Sequence, residues 1–193
     1  SFSLMLLLSM PFFFEGDFIV TLWLKNPPNW TVIFCQLQLA TCIISVLFSP
    51  VYYGIVATGN NKLYALQDSF LMLLTYFFLQ AGYSPLVPFI VLIVIELIKS
   101  NLYVYILKRN LPYYKISFFY RKSVLPCFLV AMLCMSLTLV CSLLFKQSGW
   151  LRFIFVCLSS TLSIIIMSYT LLLSTSHKQI LKKRIRSIFI STV

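Results

Sequence analysis

Long apolar runs, interrupted only by short polar gaps, constrain this chain more than any other feature of its sequence. The stretch 31–57 contains no charged residue at all, and neither does 125–144. In water such segments would have no polar face. In a bilayer each is long enough to cross the roughly 30 Å hydrocarbon core as an α-helix, which satisfies every backbone hydrogen bond internally. Composition agrees: 61% of the chain is hydrophobic and 10% charged, against about 25% charged in an ordinary soluble domain. The expected fold is therefore all-α, a polytopic membrane bundle of about six helices.

The runs place spans at about 3–24, 30–56, 63–81, 85–107, 123–145 and 150–173, making a bundle over 1–176. A basic tail follows at 177–193 and reads as a short amphipathic helix. Pro50 is expected to kink the second span beside Ser49 and Tyr52. The connector 108–122 carries an aromatic, basic stretch (113–120) suited to the membrane interface. Short turns between spans imply antiparallel neighbours in a compact bundle. The opening run lacks a basic flank and a small-residue cleavage site, so it does not read as a signal peptide. The first residue is Ser1, which suggests processing or truncation.

A net charge of +11 would suggest nucleic acid in a soluble protein. Here the cations lie just outside the spans, where the positive-inside effect puts them, and no nucleic acid is implied. Lys25, Lys146 and Arg152 fall on one side. Lys62, Lys108, Arg109, Lys115, Arg121, Lys122 and the basic residues of the tail fall on the other. Both termini are thus expected in the cytoplasm. Trp23, Trp30 and Trp150 sit at the outer ends of spans, as an aromatic belt requires.

The chain has four acids, Glu15, Asp17, Asp68 and Glu96, all within or at the edge of spans. An ionised group at a helix centre costs about 2.5–3.5 kcal/mol on insertion scales, so these are candidates for an ion or substrate pathway. Glu96 and Lys99 stand three residues apart and can pair on one helix face. Two readings stay open for them: an ion pair that glues the span to its neighbours, or a polar cavity for an ion or a charged headgroup. Asp17 and Asp68 read as residues solvated at the interface. Ser159, Ser160, Thr161 and Ser163, with Gln36 and Gln38, are able to bond sugar hydroxyls but read first as helix–helix hydrogen-bonding groups.

No Ser/His/Asp set, metal cluster or Gly-rich phosphate loop accompanies the acids, so no catalytic residue, enzyme activity, metal or cofactor is expected. His177 reads as a solvated tail residue. Asn29-Trp30-Thr31 matches the glycosylation sequon, a pattern that recurs by chance. Cys127, Cys134 and Cys141 recur every seven residues on one helix face. With no CxxC pair and no nearby histidine, these and Cys35, Cys42 and Cys157 read as small packing residues.

A set of short motifs adds to this. Leu22-Trp23-Leu24 precedes Pro28; a long span then ends Ala57-Thr58-Gly59-Asn60-Asn61-Lys62-Leu63-Tyr64. The chain continues to Ala81-Gly82-Tyr83-Ser84-Pro85 and closes the next span with Leu107-Lys108-Arg109. In order and spacing this resembles the C-terminal half of Wzx-type O-antigen flippases, within the multidrug/oligosaccharidyl-lipid/polysaccharide exporter superfamily. Trp23, Pro28, Ala57, Thr58, Gly59, Tyr64, Gly82 and Pro85 carry the resemblance. Lys25 departs from it, standing where the family usually has glycine.

The resemblance implies a flippase that moves undecaprenyl-diphosphate-linked oligosaccharide across a bacterial inner membrane by alternating access between two lobes. Its partners would be membrane lipids, the lipid-linked oligosaccharide, and an N-terminal lobe of the same protein that this chain lacks. Lys99, well inside a span, would supply one cation for the diphosphate. The alternatives are a membrane-embedded transferase or assembly protein for lipid-linked glycans, and a small scaffold with a lipid-binding basic tail.

Overall fold

The computed structural model describes residues 1–57, 73–74, 76–111, 113–144 and 149–172. Five helices account for nearly all of them: α1 (Phe2–Trp23), α2 (Thr31–Ala57), α3 (Leu86–Asn110), α4 (Ile116–Leu144) and α5 (Trp150–Met167), the last continuing through a π-helical turn at Ser168–Leu172. No strand occurs among the described residues. All five helices are long and apolar enough to cross a bilayer. The fold is a polytopic helical bundle of the class the apolar runs imply. The expected third span, 63–81, lies mostly outside the described residues, as does the tail 177–193.

Helix α1 sits centrally. It packs against α2, α5 and α4. Leu6 and Met10 of α1, Val130 and Cys134 of α4, and Ile164 of α5 form one buried cluster. Cys127 and Cys134 are both buried, one helical face two turns apart, so these thiols fill the seam where α4 meets its neighbours. A second cluster joins Phe48, Val51 and Ile55 of α2 to Tyr103, Val104 and Leu107 of α3 and Phe119 of α4. The outward faces remain apolar, with Leu4, Leu8, Ile98, Leu133 and Ile165 among the exposed side chains, as a lipid-facing surface requires.

Not every neighbouring pair is antiparallel. Phe34 stacks on Phe89 at 4.8 Å near the starts of α2 and α3, and Gly54 meets Leu107 near their ends. The two helices therefore run parallel. They are the expected second and fourth spans, which a chain with one further span between them sets in the same direction.

The prolines are each accommodated locally. In α2 the helix continues through Pro50, which cannot donate to the Val46 carbonyl; the Ser49 hydroxyl donates to that oxygen instead, at 2.9 Å. In α1 the break falls four residues after Pro11, at Glu15, whose φ of −123° and ψ of 26° are not helical. In α4 a π-helical turn, Tyr120–Val124, stands just upstream of Pro126 and loosens the backbone its ring would otherwise crowd. From Ile116 on, the connector stretch expected at the interface is helical and continuous with α4. Aromatic anchors explain this, because Phe119 packs into the α2–α3 cluster and holds the first turn of α4 down.

The turn into α3 shows why Gly82 stands where it does. The Tyr83 amide donates to Phe78 O at 3.3 Å and the Gly82 amide to Leu79 O at 3.1 Å, the two crossed bonds of a Schellman cap. Gly82 takes φ +77° at the left-handed position, and the Tyr83 and Phe78 rings pack edge to face. Pro85 then sits immediately before the first residue of α3.

Candidate functional site

Parallel packing of α2 and α3 brings together two polar faces. On α2, Ser45, Ser49, Tyr52 and Tyr53 recur at helical spacing; on α3, Glu96, Lys99, Ser100 and Tyr103 do the same. Together with Val46 and Phe48 they line a cavity of about 270 Å³. The Tyr52 and Tyr103 rings lie 6.2 Å apart across it, closing the cavity toward the α2–α3 core.

Lys99 and Glu96 form an ion pair on the same face of α3, with side chains 16% and 9% exposed. Their spacing alone brings them together, as the sequence led us to expect. Burying two charges here is costly, and mutual attraction offsets much of that cost. An ammonium carries three donors, so pairing with one carboxylate leaves it capacity for a further acceptor in the cavity. The site is thus a cationic group flanked by hydroxyls and aromatic rings, inside a span.

Glu15 lies elsewhere. Its Oε1 stands 2.6 Å from Nε of Arg152 in the first turn of α5, with side chains 4% and 24% exposed. Neither atom has an aligned hydrogen-bond partner, so the contact is ionic. Gln36 of α2 donates to Phe13 O at 3.2 Å, close to the break at Glu15. A Cβ on Gly16 would come within 2.8 Å of Val32 Cγ1. Bent helix, ion pair, amide and glycine form one cluster that joins α1 to both α2 and α5.

The sequence did not reveal this pair. Arg152 was counted among the few cations at the outer ends of the spans, whereas it pairs with a buried acid of α1. The signal available was Glu15 itself, an acid deep in an apolar run that needs a cation. Asp17, two residues on, is exposed and apart from both pairs. Asp68, Thr58, Gly59 and Tyr64 lie outside the described residues.

The hydroxyls expected to bond sugars turn back on their own helix. Ser159, Ser160, Thr161 and Ser163 donate to Val156, Cys157, Leu158 and Ser159 carbonyls respectively, and Ser160 is fully buried. Gln38 reaches only Cys42 Sγ, at 3.9 Å. Trp23 is exposed at the end of α1, Pro28 accepts a hydrogen bond from the Thr31 hydroxyl at 2.8 Å in the turn into α2, and Ala57 ends α2. Among the described residues no three His, Cys, Asp or Glu side chains converge as metal ligands would. No protein-family model, curated protein or solved structure matches the chain.

Proposed function

We propose that the chain is one lobe of a transporter for lipid-linked anionic glycans, of the Wzx type, and that the α2–α3 cavity contacts the charged headgroup. The observation that carries this reading is the placement of Lys99 in a cavity inside a membrane span, paired with Glu96 and flanked by Ser45, Ser49, Tyr52 and Tyr53. A diphosphate needs a cation out of bulk water, and sugars need hydroxyl partners and aromatic faces. A polyprenyl tail needs only the lipid that surrounds the bundle. In this reading a second lobe completes the translocation path, and the basic end of the bundle faces the cytoplasm of a bacterium.

The test is complementation of a deletion strain with the Lys99→Ala protein, scoring surface polysaccharide and the amount of protein in the membrane. The expected outcome is lost surface polysaccharide at an unchanged membrane level. Wild-type polysaccharide would reject Lys99 as a substrate contact. Complementation failure by the unaltered gene, with glycan synthesis intact, would reject the transporter reading as a whole.

A further inference from the structure

At the end of the bundle where α3 finishes and α4 begins, Lys108, Arg109, Lys115, Arg121 and Lys122 gather within a few turns of one another in sequence. The described residues form two ion pairs, Glu15–Arg152 and Glu96–Lys99, so no carboxylate among them neutralises these five cations. Lys122 is held with Nζ 4.8 Å over the Phe118 ring, which keeps its charge at the surface of α4.

Beside this rim one face of α4, formed by Ser117, Tyr120, Arg121, Val124, Leu125 and Phe128, bounds a shallow, open groove along the helix. Its lining changes character along its length. Ser117 and Arg121 stand at the basic end, while Val124, Leu125 and Phe128 continue it toward the middle of the span. From Arg121 to Phe128 the helix rises about 10 Å, the length of the upper part of an acyl chain. The wall is fixed in place on its inner side, where Phe119 is buried and the Tyr120 hydroxyl donates to Asn101 Oδ1 of α3 at 2.6 Å. The π-helical turn Tyr120–Val124 falls in the same stretch, a distortion that recurs at functional sites.

We propose that this groove is a binding site for one anionic phospholipid. Its phosphate lies against Arg121 and Ser117, and an acyl chain follows Val124, Leu125 and Phe128. These cations, which no carboxylate among the described residues neutralises, select an anionic headgroup over a zwitterionic one, whose own ammonium they repel.

The experiment presents the full chain, purified in detergent, with equal amounts of phosphatidylglycerol and phosphatidylcholine of the same acyl chains, and reads retained lipid by native mass spectrometry. Wild type is expected to retain phosphatidylglycerol about thirtyfold over phosphatidylcholine, the scale that two interfacial cations supply. Arg121→Gln with Lys122→Gln should bring that ratio close to unity. Leu125→Trp, which fills the groove and leaves every charge in place, should also abolish retention; Lys25→Gln, at the opposite end, should not. Equal retention of both lipids by wild type would overturn the proposal, as would an unchanged preference in the double variant. Full retention by Leu125→Trp would overturn the groove in favour of diffuse charge attraction.

Discussion

Glu15 of α1 and Arg152 of α5 meet at 2.6 Å within the same few residues where α1 leaves helical geometry. The ion pair and the helix break are thus one feature: the bend turns the upper part of α1, and the acid at the bend is tied to the neighbouring helix. Removing one partner leaves the other charge buried and unpaired, which costs about 3 kcal/mol or more. We expect Glu15→Gln and Arg152→Gln each to lower the thermal unfolding midpoint in detergent clearly. Glu15→Leu with Arg152→Leu should recover most of the loss, because an apolar pair replaces a buried ion pair at little cost. A double variant no more stable than either glutamine variant would show that the charges themselves are required.

Gly16 allows α1 to close on α2. The contact its Cβ would make is with a side-chain methyl of Val32 at 2.8 Å, so the conflict is between Gly16→Ala and one named neighbour. Gly16→Ala is expected to cost about 1–3 kcal/mol by overpacking. Val32→Ala in the same chain should return much of it, a coupling that a double-mutant cycle on unfolding free energies measures directly.

Gly82 is a different kind of glycine. Nothing stands within reach of a Cβ there, yet φ is +77°. Gly82→Ala should therefore destabilise through the backbone alone, by about 1 kcal/mol, and Gly82→Asn should cost less because asparagine tolerates the left-handed region. Equal losses in the two variants, read from thermal midpoints, would remove the conformational explanation.

Ser49 is expected to matter because of its neighbour Pro50. Ser49→Ala leaves the Val46 carbonyl without its donor and should cost about 1 kcal/mol. In a Pro50→Ala background, where the main chain supplies the missing N–H, the same change should be close to neutral. A protease-resistance or thermal assay across the four combinations checks the interaction.

Helix positions were readable from apolar runs to within a few residues, since the bilayer allows few alternatives: α1, α2 and α5 begin or end almost where the runs do. The start of α4 was not, because Ile116–Val124 is held as helix by aromatic docking on the α2–α3 cluster and not by hydropathy. The Glu96–Lys99 pair was legible because both partners lie on one helix at a spacing that meets. Glu15–Arg152 was hidden because its partners are far apart in sequence, and only the packing of α1 on α5 brings them together. That α2 and α3 run parallel follows from their being alternate spans, but that they pack on each other and share a polar cavity escaped for the same reason.

The position of α2 has a mechanical consequence. One end of it touches the bend of α1 through Val32 and Gln36, and its later turns supply the Ser45–Tyr53 wall of the cavity. From Gln36 to Tyr53 the helix is a strut about 25 Å long, kept continuous across Pro50 by a single serine hydroxyl. The two ion pairs are thus tied to one helix, Glu15–Arg152 beside its first turns and Glu96–Lys99 beside its middle, so a change in the tilt of α2 would be felt at both.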